Sequence, residues 1–127
     1  MPSAQSRFTE RIETLATRAE RDEEAFDRPA PGELPAEERA MTFLREGVGP
    51  AVSLYVEART GGLMVHFPPA EYGALEGAMN DWLTLYAACY GVDLEAAYTV
   101  REAAELLVDT HNVQDVAQIL TGVPERS

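Results

Sequence analysis

The sequence predicts an α+β fold, mostly helical, in which one two-stranded antiparallel β-hairpin (about 51–60 and 63–67) packs on a central helix (about 69–90). Three observations carry that prediction. Tyr72, Leu75, Met79, Trp82, Leu83, Tyr86 and Tyr90 recur at spacings of three and four, which places them on one helical face. Val52, Leu54, Val56 and Ala58 alternate with Ser53, Tyr55, Glu57 and Arg59, and Leu63, Val65 and Phe67 repeat the same two-residue period, as half-buried strands do. Gly61-Gly62 stands between the two runs with the dihedral freedom that a two-residue hairpin loop requires. The implied register pairs Val56 with Phe67 and Ala58 with Val65 on the face toward the helix, and Glu57 with His66 on the outer face.

The remaining elements follow in order. Ser3 or Ser6 caps a first amphipathic helix over about 3–26, with Phe8, Ile12, Leu15, Ala19 and Phe26 on a narrow stripe that can pack on the domain or pair with a second copy. Residues 29–35 carry three prolines and a glycine and read as a semi-stiff linker, dividing the chain into 1–28, the linker and a compact domain over 36–127. Pro35 opens a helix over about 36–46 that buries Ala40, Met41, Phe43 and Leu44, Gly47 stops it, and Gly49-Pro50 turns the chain. Pro68-Pro69 ends the second strand and opens the central helix, whose second half is apolar nearly all round and whose end is set by Gly91. Asp93 caps a short turn through Leu94 to Ala97. Thr99 and Glu102 form a capping box for a helix over about 99–110, and Asn112, with Asp115 beyond it, opens a last helix over about 112–121.

Charge is the most unusual property. Against 22 acidic residues the chain sets ten basic ones, all arginine, for a net charge of -12 over 127 residues. Such a surplus of acid suits a protein of a salt-rich prokaryotic cytoplasm, and it disfavours nonspecific binding to nucleic acid, because phosphate contacts need cations. The lone Cys89 excludes an internal disulfide and fits a reducing compartment. Arg7, Glu10, Arg11, Glu13, Arg18 and Glu20 leave no apolar stretch for a signal peptide, and no later run reaches membrane-spanning length, so a cytoplasmic protein without a membrane role is expected.

No constellation in the chain points to catalysis, a metal or a cofactor. His66, Cys89 and His111 are the only strong nitrogen or sulfur ligands, and they lack the close pairing of zinc sites. There is no G-x-S-x-G elbow, and Gly47-Val48-Gly49-Pro50 follows a helix rather than the strand a phosphate-cradling loop needs. The expected function is therefore a non-enzymatic protein-interaction or accessory domain, self-associating as a homodimer or meeting another protein. Tyr55, Glu57, Arg59 and His66 on the outer hairpin face, and Phe8, Ile12 and Leu15 on the first helix, are its candidate contacts. A ligand cavity beside Trp82 and Tyr86 is a further reading of the aromatic residues. The segment Tyr98-Thr99-Val100-Arg101-Glu102-Ala103-Ala104-Glu105-Leu106-Leu107 resembles the opening helix of MerR-like and excisionase-like helix-turn-helix domains. That resemblance implies an alternative function, a DNA-binding transcription regulator with Gln114 and Gln118 reading bases. The chain departs from the pattern at Val108-Asp109-Thr110-His111-Asn112, which replaces the tight turn, and in the absence of arginine from 113–120.

Overall fold

A computed structural model of the chain describes residues 8–60 and 67–125, and these are helical or irregular throughout, with no strand among them. The helices are α1 (Thr9–Ala25), α2 (Glu37–Phe43), α3 (Gly49–Thr60), α4 (Pro69–Ala88), α5 (Val100–Thr110) and α6 (Val113–Thr121), with a short 3-10 turn at Pro31–Glu33. The fold is therefore all-α, and the predicted α+β hairpin is overturned by its first strand. Residues 51–60 lie inside α3, which buries Ala51, Val52, Leu54, Tyr55 and Ala58. Those five positions make a broad helical face, and within a window this short Val52, Leu54 and Ala58 fit a period of 2 as well as one of 3.6. Only Val52, Val56 and Thr60 in that run are β-branched, whereas alanine, leucine, glutamate and arginine all favour helix. The rest of the hairpin, at 61–66, falls outside the described residues, and Phe67 is irregular.

Nor does the chain turn at Gly47 or Gly49-Pro50. A π turn at Leu44–Val48 joins α2 to α3 into one helical run, and Gly49 N–H donates to Leu44 O across the wider turn. A π turn of this kind tolerates Pro50, which offers no amide to the ladder. It also presents the backbone of Gly47 to the face of Trp82, where a Cβ would sit 2.6 Å from ring carbons Cγ and Cε2.

Around α4 the other helices assemble. Leu75, Ala78, Met79, Trp82, Leu83, Leu85, Tyr86 and Ala87 are all buried, on more than one side of the helix. α1 lies along α4 more extensively than along any other element. Thr9 Oγ1 donates to Glu71 Oε2 (2.6 Å) near one end of the pair and Trp82 Nε1 donates to Asp22 Oδ2 (2.8 Å) near the other, so the two helices run in the same direction. The α2–α3 run returns antiparallel to α1, since Arg18 meets Glu46 while Arg11 meets Glu57. Phe8, Ile12, Leu15 and Ala19 of α1 lie in the same core as α4. The segment before α2 is tied down as well, with Ala36 N–H on Cys89 O (2.7 Å) and Arg28 paired with Asp93 (2.7 Å).

α4 ends with Gly91 at a φ of 78°, a left-handed conformation that lets Val92 N–H reach back to Ala87 O. Residues 92–99 carry no regular structure, so the expected turn at 93–97 is absent and the segment is an extended strap. Three polar side chains of α4, spaced four apart, hold its backbone. Thr84 Oγ1 accepts from Ala96 N–H, Asn80 exchanges two 2.9 Å hydrogen bonds with Tyr98, and Glu76 Oε2 accepts from Val100 N–H at the start of α5. The strap thus runs antiparallel to α4, and the carboxylate of Glu76 also meets the positive end of the α5 dipole. Thr99 and Glu102 close the capping box, and the Asn112 side chain accepts from Gln114 and Asp115 at the start of α6.

Two outcomes follow from this packing. Gly47→Ala places a methyl inside the Trp82 contact and should cost about 1–3 kcal/mol, a fall of several degrees in melting temperature with helical content preserved at low temperature. Asp81, half-buried where α4 meets α1, has its carboxyl pushed up from 3.8 to about 6, first by burial and then by the charge and hydrogen bond of Glu23 and the charge of Glu20. Its ionised form is disfavoured in the fold, so stability is lost as pH rises between those two values and stays lost above them. Asp81→Asn should therefore melt higher than the parent at neutral pH and match it near pH 3.5 (roughly); parallel melting curves at every pH would refute this.

Candidate functional site

Among the described residues the large apolar side chains left exposed are Val92, Val108 and Ile119, and two of these belong to the α5–α6 pair. α5 buries Val100, Ala103 and Ala104 and turns Arg101, Glu102, Glu105, Val108 and Asp109 outward. His111, in the left-handed region at a φ of 54°, ends α5 and lets Asn112 start α6 at once. The outward side of α5 is thereby a ridge with a groove on either side.

Between α5 and α3 lies an open groove of about 420 Å³, floored by Tyr55, Val56 and Ala104, with Arg59 and Arg101 on its opposite walls. Arg59 Nη1 donates to Tyr55 Oη (3.3 Å), and its guanidinium stands 5.9 Å from the centroid of the Tyr55 ring. Tyr55 in turn touches Phe67 and Tyr72, edge-on to the latter. Burial pushes the Tyr72 phenol up, with Glu76 and Tyr55 adding to the shift and Arg101 opposing it. Arg101 Nε stands 3.5 Å from Glu105 one turn along α5, and both side chains are about 70% exposed (71% and 69%), so this pair contributes little to stability.

The second groove, between α5 and α6, is also about 420 Å³. Leu106, Ile119, Leu120 and Tyr98 give it apolar surface, and Glu102, Glu105 and Asp109 line its edge at spacings of three and four. No cationic side chain lines it.

The candidates read from the sequence are dispersed by this arrangement. Tyr55 is 7% exposed and forms part of a groove floor. Glu57 and Arg59 stand on a helix rather than on the outer face of a hairpin, and Glu57 receives both terminal nitrogens of Arg11 (2.8 and 3.3 Å), joining α3 to α1. His66 lies outside the described residues. Phe8, Ile12 and Leu15 are buried in the core of this chain. Gln114 is exposed at the start of α6, whereas Gln118 Nε2 donates to Pro124 O (2.7 Å). Trp82 and Tyr86 line neither groove, and both are fully enclosed. The indole is enclosed by Gly47, Asp22 and Arg18, and the Tyr86 hydroxyl donates to Val123 O (2.6 Å). Cys89 is buried, and its thiol is pushed up by burial with Arg39 opposing the shift. His111 is exposed at the α5–α6 turn, and no cluster of metal-ligating side chains occurs among the described residues.

Arg101, Glu105, Asp109, Val108 and Ile119 were not singled out by the sequence. Val108 and Ile119 carried the one usable signal, because each sits at the rim of its helix's apolar stripe rather than at the centre.

Among the described residues no helix is long and apolar enough to cross a membrane. A comparison with protein-family models matches residues 6–125 to "Domain of unknown function (DUF8055)". No curated protein and no solved structure matches the chain.

Proposed function

The chain belongs to the DUF8055 family, and from that premise we propose that it is a non-enzymatic protein-interaction domain of a salt-adapted prokaryotic cytoplasm, with the α5 ridge and its grooves as the contact surface. The observation that carries this reading is the exposure of Val108 (53%) and Ile119 (52%) on one helical pair, while nearly all the other large apolar side chains among the described residues are enclosed. Surfaces that combine apolar anchors with a polar rim are suited to protein contact.

Self-association through Phe8, Ile12 and Leu15 would require α1 to leave α4. Pairing of two chains of charge -12 through acidic faces is further opposed by repulsion, so a different protein is the partner this surface favours. A DNA-binding regulator is the second reading, supported by the two short helices joined at His111-Asn112 and by the exposed Gln114. Against it stand Glu102, Glu105 and Asp109 on the same pair, which would repel phosphates.

Affinity capture of the tagged protein from its own host at native ionic strength tests the two readings together. A protein partner should be retained by the parent and lost with Val108→Ser plus Ile119→Ser, while circular dichroism of the variant stays unchanged. Recovery of DNA, abolished by Gln114→Ala plus Gln118→Ala, would replace this reading with the regulator.

A further inference from the structure

We infer that the groove between α5 and α6 receives a basic amphipathic helical segment of another protein, its apolar residues seated on Leu106, Ile119 and Leu120 and its arginines or lysines against Glu102, Glu105 and Asp109. This rests on the interaction reading above and names the chemistry of the partner.

Three features of the groove carry it. The first is the shape of its charge. The three carboxylates follow one edge of α5 over about 10 Å, seven residues at 1.5 Å each, which is about two turns of a facing helix. Cations on a partner helix at spacings of three and four would meet them in register. The second feature is that two of the carboxylates, Glu105 and Asp109, are exposed and only lightly engaged within the fold. Glu102 is held in position by Thr99, Glu105 has only the loose contact with Arg101, and Asp109 makes no ion pair among the described residues. The third is that no cationic side chain lines it, whereas the neighbouring groove, which shares Glu105 and Asp109, sets Arg59 and Arg101 beside them. Apolar seats beside a one-sign edge are what a helix-in-groove contact uses, the anchors giving affinity and the charges orientation. A second copy of this chain would bring net charge -12 to an acidic edge, and a nucleic acid would bring phosphates to it.

A synthetic helical peptide of about 14 residues, with leucines on one face and arginines flanking them, provides the probe. Its binding to the full chain is followed by fluorescence anisotropy, with chemical-shift mapping to locate it. Saturable binding is expected, with perturbations centred on Leu106, Ile119 and Leu120. Ile119→Ala should weaken it roughly tenfold, and Glu105→Gln plus Asp109→Asn should weaken it similarly while flattening its salt dependence. The exposed positions of these side chains leave the fold intact, which circular dichroism checks. Equal binding of a peptide with serine in place of leucine would show mere charge attraction and overturn the inference. So would equal binding of a glutamate version, or perturbations mapped elsewhere. If the probe fails while a captured partner still depends on Val108 and Ile119, this inference falls and the interaction reading stands; if that dependence is also absent, both fall.

Discussion

Trp82 is the side chain on which the assembly of the first four helices depends. One face of its indole lies against the bare backbone of Gly47, its N–H is taken by Asp22, and the guanidinium of Arg18 stands 5.9 Å from its centroid. The ring therefore joins α1, the α2–α3 run and α4 at a single point. It can do so only because residue 47 has no Cβ and because the π turn aims that backbone at the ring. A buried indole whose N–H is satisfied brings large apolar area without an orphaned donor, so the contact is favourable in both its apolar and its polar parts. With α1 and α4 parallel, the chain needs a long antiparallel return, and the continuous helical run from Glu37 to Thr60 supplies it.

What places α5 is different in kind. The extended strap before it has no regular partner for its backbone, and where it lies against α4 its inward amides need acceptors. Glu76, Asn80 and Thr84 answer that need from one edge of α4. Their hydrogen bonds set where Val100 begins, and from there Ala103 and Ala104 pack inward while Glu105, Val108 and Asp109 are turned out. The proposed contact surface is thus placed by a polar ladder on the core helix.

The acid surplus is spread unevenly in its effects. Cross-element pairs such as Arg11–Glu57 and Arg28–Asp93 are exposed and add little individually. Asp81 beside Glu23 and Glu20 is a point of opposition within the α1–α4 interface, where a neutral carboxyl suits the site better than an ionised one. On the α5–α6 edge Glu105 and Asp109 are exposed neighbours of like charge, and the proposed partner is one whose cations would relieve that repulsion.

By itself the sequence determined the core helix, the caps of α5 and α6 and the apolar stripe of α1. Spacings of three and four around Trp82, a capping box at Thr99 and an asparagine cap at Asn112 are local, and local signals of that strength survive in the folded chain. It misassigned 51–60 because eight residues of alternating character fit both periods, and Tyr55 and Ala51, which settle the matter, are ordinary in either setting. Only the tertiary structure decided that Gly47 is a seat for an indole rather than a helix stop, and that Glu76, Asn80 and Thr84 are backbone acceptors and donors rather than a solvated edge. It alone decided which helical rims, at Val108 and Ile119, stay uncovered. The physical reason is common to all three. Each depends on what another element brings to within a few ångströms, and a one-dimensional pattern records a residue's own preference but not its neighbour's position.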